Sequence, residues 1–159
     1  MNWHLSVRKR ILWTAFLCCT FSLFCRAQYG SYDLRCEHLP LPLGIDNPQP
    51  RLSWKMKDDR QGARQTAYEV LVCMDSVIKA DGKNIHWRSG KISSSKNLIT
   101  YNGKKLQPFT RYYWQVRLWD SNGKMLPEAP VSWFETGMMG IHNWRGNWIS
   151  DGGDVNTLP

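Results

Sequence analysis

Behind a turn containing Pro108 and Thr110, the stretch LQPFTRYYWQVRLW (Leu106 to Trp119) alternates strictly. Tyr112, Trp114, Val116 and Leu118 fall on one side, and Tyr113, Gln115 and Arg117 on the other. A period of two is that of a strand with one buried face. RLSWKMK repeats it, with Leu52, Trp54 and Met56 set against Arg51, Ser53, Lys55 and Lys57. An apolar run from Ala67 to Met74 follows the charged, glycine-containing loop DDRQGARQ. A weaker strand spans His86 to Lys91, a short one Leu98 to Tyr101, and another Val131 to Thr136, where Trp133 and Glu135 alternate with Phe134. With the segment near Tyr32 to His38, the pattern predicts about seven short strands, and no helical periodicity of useful length competes.

The connections carry their own signals. PLPLGIDNPQP contains Pro40, Pro42, Pro48 and Pro50, which forbid a central strand and predict a rigid connection. Asn102-Gly103 is a hairpin signal, and Asp120-Ser121-Asn122-Gly123 is a turn. A tyrosine placed just after a Leu-x-Pro-x-Thr turn suits the tyrosine corner of immunoglobulin-like and fibronectin-like sandwiches, where the hydroxyl bonds back to nearby backbone. The fold class predicted is therefore all-β, a fibronectin-type-III/immunoglobulin-like β-sandwich, with Trp54, Tyr112 and Trp114 as structural core residues.

Residues 1–27 read as a signal peptide. Arg8, Lys9 and Arg10 precede an apolar run from Ile11 to Phe24, followed by Cys25-Arg26-Ala27. The run falls short of the roughly 20 apolar residues that span a bilayer, so export to the periplasm or the extracellular space is expected, with no stable membrane span after processing. Four of the 21 basic residues and none of the 13 acidic ones leave with the signal, so the net charge falls from +8 to +4. That excess is spread over strands and loops, which gives nucleic-acid binding little support.

Of the five cysteines, Cys36 and Cys73 remain. They could pair in an oxidising compartment, but Cys73 shares the Glu69 side of its strand and is read as outward-facing, which favours an unpaired thiol. His38, His86 and His142 have no ligand spacing with these cysteines, so no metal is proposed, and no cofactor. Residues 28–140 are read as the sandwich. Beyond Gly140 the pattern changes: Trp144 and Trp148 bracket Gly146, and residues 141–159 are read as a linker or the truncated start of a second β domain, poorly ordered on its own.

Taken in order, PLGIDNPQPRLSW (Pro42 to Trp54), QTAYEVLV (Gln65 to Val72), HWRSGKI (His86 to Ile92), LQPFTRYYWQVRLWDSNGK (Leu106 to Lys124) and SWFETGMM (Ser132 to Met139) resemble the amino-terminal region of bacterial α-L-rhamnosidases. These are multidomain glycoside hydrolases that begin with a fibronectin-type-III-like sandwich. WRGNWIS (Trp144 to Ser150) looks like the start of that family's next β-sandwich. The resemblance implies that inverting hydrolysis of terminal α-L-rhamnosides takes place in a helical barrel several hundred residues downstream. There, two acidic groups stand about 6.5 to 9.5 Å apart around a water. Nothing in this chain matches that barrel. No catalytic residue is carried over, and the chain is predicted to be inactive alone, with the downstream domains of a parent hydrolase as partners.

The residues themselves agree. Asp58-Asp59 is the only adjacent acidic pair, and it reads as a solvated turn rather than a dyad with one raised pKa. Ser93-Ser94-Ser95 is a loop run with no nucleophile elbow. Tryptophan enrichment does invite sugar stacking. Trp119, beside Tyr113 and Arg117 on the outward face, is the best candidate for an interface or a sugar contact, with rhamnose-containing glycans as the candidate ligand. The alternative function is a stand-alone extracellular carbohydrate-binding or protein-interaction module.

Overall fold

The computed structural model describes residues 30–78, 84–128 and 130–146. The expected signal peptide, Trp148 and most of the 141–159 segment lie outside them. Eight strands follow in order: β1 (Gly30–Cys36), β2 (Arg51–Lys57), β3 (Ala67–Cys73), β4 (Ile85–Arg88), β5 (Ile92–Ser93), β6 (Leu98–Thr100), β7 (Arg111–Trp119) and β8 (Ser132–Glu135). They form two antiparallel sheets, one ordered β1-β2-β6 and the other β4-β3-β7-β8, with β5 also paired to β3. This is an immunoglobulin-like sandwich, in which each sheet buries one face against the other.

Between the sheets the inward positions of the alternating strands meet. Trp54 and Leu52 on β2 face Val70, Val72, Tyr112, Trp114, Val116 and Phe134 on the larger sheet, all at or below 1% exposure. The Trp54 ring lies 5.2 Å from Tyr68, and Tyr112 stacks on Phe134 at 5.5 Å. Trp54 Nε1 donates to Gln65 Oε1 (2.9 Å), and Gln65 Nε2 donates to the carbonyls of Ser94 and Lys96. One buried amide thus ties the core indole to the loop between β5 and β6. The tyrosine corner is formed: the backbone N–H of Gln107 donates to Tyr112 Oη over 2.9 Å.

Three local expectations change. The run after Gly90 yields an extra strand because β4 and β5 share one edge of β3. Ser89 Oγ accepts from the Val70 N–H where the ladder breaks, and Gly90 bends away at φ 70°. Asn102-Gly103 closes no hairpin, since β6 and β7 lie in different sheets. Gly103 lacks a left-handed φ; a Cβ there would lie 2.4 Å from Tyr101 Oη and 2.5 Å from Trp87 Cβ, so the glycine serves close approach rather than a turn. The proline-rich connection also does more than connect: Ile45, 8% exposed, bridges Thr136 in parallel, and the Glu135 N–H donates to the Pro42 carbonyl.

Candidate interaction face

The outward side of the larger sheet holds the three residues singled out from the sequence. Their placement follows from pairing with β3 and β8. Arg117 stands opposite Glu69, Trp119 opposite Ala67, and Tyr113 between Cys73 and Trp133. The strand alternation therefore brings Tyr113, Arg117 and Trp119 onto one face, as a row separated by Gln115.

That row is not an open platform. Arg117 keeps only 19% of its side chain exposed, donating through Nε to Glu128 (2.7 Å) and reaching Glu69 at 3.4 Å. Glu69 also accepts from Arg88 Nε at 2.8 Å, so one carboxylate is held between guanidiniums from both flanking strands. Lys91 Nζ sits 4.5 Å over the Trp119 ring. Arg111 lies 4.1 Å over Trp133 while donating to Glu135. The cause is β7's central position: its own Arg111 and Arg117 reach rings and carboxylates on either side, and Lys91 reaches in over Trp119 from the β4–β5 connection. The sequence pattern alone missed Trp133, Lys91, Arg88 and Glu69, although the i, i+2 spacing of Trp133 and Glu135 did mark their face.

Cys73 lies on this outward side, across from Tyr113, yet it is fully buried and its Sγ donates to the Asp75 carbonyl. Cys36 lies in the inner core, where burial pushes its thiol up to about 12. Both thiols are free. One buried face each keeps them apart, and a thiol raised this far is a poor nucleophile.

Asp58 and Asp120 are set up as ion-pair partners rather than as proton donors. The Asp58 side chain, expected to be solvated, is only 2% exposed: Arg60 spans it in a two-toothed pair at 2.6 Å and also reaches Asp120 at 2.7 Å. The Arg60 guanidinium holds both carboxyls below the usual carboxylate range. Groups so held stay ionised at neutral pH and cannot give up a proton as a general acid. Asp120 meanwhile accepts from the Asn122 and Lys124 N–H groups, which fixes the turn after β7. Among the described residues, no cluster of three or more His, Cys, Asp or Glu side chains could hold a metal. No helix there is long and apolar enough to cross a membrane.

One end of the sandwich carries apolar side chains outward. Phe109, in the tyrosine-corner turn at φ 51°, is 67% exposed, and a cleft of about 430 Å³ separates it from Trp144, itself half exposed. A short 3-10 turn, Ile141–Asn143, leads to Trp144 and is pinned by the Asn143 amide donating to the Met138 carbonyl.

Comparison with known proteins places this architecture. Residues 31–140 match the family model described as "Rha78A-like, N-terminal immunoglobulin domain". The chain is 40% identical over 124 residues to an Alpha-L-rhamnosidase of Streptomyces avermitilis, covering 77% of this chain and 12% of that protein. It is 34% identical over 119 residues to one of Formosa agariphila, covering 73% and 12%. The chain thus spans about an eighth of the length of these relatives. Among solved structures, that of the alpha-L-rhamnosidase from Dictyoglumus thermophilum superposes with a TM-score of 0.70 at 40% identity, covering 77% of this chain and 14% of that one. The S. avermitilis enzyme complexed with L-rhamnose gives 0.70 at 38% identity, covering 77% and 12%.

Proposed function

Because the chain belongs to the family of Rha78A-like N-terminal immunoglobulin domains, we propose that it is the non-catalytic amino-terminal accessory module of an exported α-L-rhamnosidase-type glycoside hydrolase. In this reading, inverting hydrolysis of terminal α-L-rhamnosides takes place in downstream domains, against which the sandwich packs. The observation that carries the proposal is the confinement of the match to 12% of the relatives' length. The tied carboxylates support it: Asp58, Asp120, Glu69, Glu128 and Glu135 are each engaged by arginine. Residues 28–140 form the module, and 141–159 lead onward.

The direct test is an assay of the purified 159-residue chain on an aryl α-L-rhamnoside. Absence of turnover is expected. Turnover abolished by a single carboxylate substitution would overturn the reading.

A second reading, a carbohydrate-binding or protein-interaction module that works alone, is favoured by one feature: Trp119 and Trp133 each present a ring on the outward face beneath a cation. A rhamnose-containing glycan stacking on Trp119 must first displace Lys91. Calorimetric titration separates the two readings, since binding lost in Trp119→Ala supports the module. Heat that does not change with the substitution leaves Tyr113, Arg117 and Trp119 as contacts for neighbouring domains.

A further inference from the structure

The outward face of the smaller sheet carries a second recess, remote from the Trp119 row and involved in none of the roles above. It is a groove of about 410 Å³ that Asp33, Arg35, His38, Ser53, Lys55 and Asn97 line. Its shape comes from a bulge. The β1–β2 register slips between Tyr32 and Arg35, and Asp33 takes a left-handed φ of 50°. Aspartate tolerates that region better than most residues, and bulges commonly re-aim a side chain next to a site. Here the slip delivers the Asp33 carboxylate between two cations, Arg35 Nε and Lys55 Nζ, each at 2.8 Å.

The inventory of the groove is lopsided. Two cations share one carboxylate, so the local charge is one unit positive. Lys55 has two further N–H donors, and Arg35 spends one more on the His38 carbonyl. The side chains of Ser53 and Asn97 make no hydrogen bond among the described residues. Donors therefore exceed acceptors, and Asp33 is the single charged acceptor. Beside them, Tyr32 is 45% exposed and stands directly across the ladder from Lys55, while Leu98 is 43% exposed on the groove wall. A flat ring and an apolar wall next to excess donors suit a ligand with an apolar ring face, several hydroxyls and one negative charge.

We propose that this groove binds a carboxylated sugar of the uronate class, its carboxylate accepting from Lys55 and Arg35 and its hydroxyls bonded by Asp33, Ser53 and Asn97. A neutral sugar leaves the excess cation without an anionic partner. A simple carboxylate lacks the ring face and the hydroxyls. Binding here is independent of the accessory role, because the groove and the Trp119 row lie on different sheets.

The full chain, labelled with ¹⁵N, is titrated at low salt with D-glucuronate, D-glucose and acetate. Saturable amide shifts at Asp33, Arg35, Ser53 and Lys55 are expected with glucuronate, with glucose and acetate each at least about tenfold weaker, the ratio set by one charge-assisted hydrogen bond. Lys55→Gln removes an exposed cation and weakens glucuronate binding by about tenfold, while amides of the larger sheet keep their positions. Tyr32→Ala weakens it through loss of the ring face. No response to glucuronate, an equal response to acetate, or a response that Trp119→Ala abolishes and Lys55→Gln leaves intact would each overturn the proposal.

Discussion

The inner face of the larger sheet and the middle of its outer face are both covered, by opposite means. On the inner face, Val70, Val72, Trp114 and Val116 meet the apolar side chains of β2. On the outer face, Glu69, Leu71, Cys73 and Gln115 are equally covered, each below 8% exposure, but part of the cover is a lattice of arginine–carboxylate pairs and cations over rings. Burial on one side reflects removal of apolar surface from water. On the other it comes from long polar side chains satisfying one another at the surface, where each pair contributes little. The two faces should therefore respond differently to substitution, salt and pH.

The largest effect is expected from Trp114→Ala on the inner face. Truncating a fully buried aromatic leaves a cavity, and a loss of about 3 to 5 kcal/mol is expected in urea unfolding. Trp114→Phe sharpens the point. The buried Nε1 has no hydrogen-bond partner among the described residues, so this substitution removes an orphaned donor and costs markedly less. A loss as large as that of the alanine variant would show that indole volume alone decides the site.

Next comes Tyr112→Phe, which keeps the ring against Phe134 but takes away the oxygen that accepts from Gln107. Leaving that N–H unpaired costs about 1 to 2 kcal/mol, and amide exchange at Gln107 is expected to quicken. If exchange there is unchanged, the corner is held by ring packing rather than by its hydroxyl.

On the outer face, Glu69→Gln unbinds Arg88 and Arg117 together. About 1 kcal/mol is expected at low salt, shrinking toward zero in 1 M sodium chloride, since the Arg88 end of the network reaches solvent and is screened. Trp114→Ala should keep its full cost in the same salt. A salt-independent Glu69→Gln loss would mean that this carboxylate is effectively interior.

The smallest effect is a pH dependence. His86 rests against Tyr112, with ring centroids 5.1 Å apart, and its Nε2 is buried without a partner among the described residues. Burial holds its pKa below the usual value, against a hydrogen bond to the Lys104 backbone that favours the charged form. The unfolded chain therefore takes up a proton first as the pH falls, so stability is full above about 6.5 and declines as the pH drops toward the lowered folded value. Thermal midpoints measured from about pH 7.5 down to about 5.5 should decrease in the wild type and stay flatter in His86→Gln. The carboxyls of Asp33, Glu37, Asp58 and Asp120 are held low by their cation partners, so their contribution is lost only at more acidic pH, below the usual carboxylate range. A wild-type midpoint that does not move between those pH values would show that His86 stays neutral, or equally solvated, in both states.

Much of the inner face could be read directly. The alternation in RLSWKMK and TRYYWQVRLW placed Trp54, Tyr112 and Trp114 inward because a strand's side-chain period depends on its own sequence alone. The turn before Tyr112 marked the corner for the same reason, with donor and acceptor five residues apart. The outer face was legible only as a list of outward residues. Nothing in the spacing of Arg117 reveals that Glu69 and Glu128 claim it, since one lies on β3 and the other in the connection before β8. Asp58 looked solvated beside Asp59 because the reach of Arg60 to Asp120 spans sixty positions.

Taken alone, then, the sequence determined that this chain forms a two-layer β-sandwich with a tryptophan-rich interior, because local periodicity and turn chemistry repeat within each strand, while its motifs taken in order carried the resemblance to the rhamnosidase amino-terminal domains. Only the tertiary structure decided that Gly103 serves a close approach instead of a hairpin, that His86 meets Tyr112, and that the groove around Asp33 gathers Arg35 and Lys55. Each of these depends on which strands become neighbours and in what register, and that is fixed by the packing of the whole sandwich.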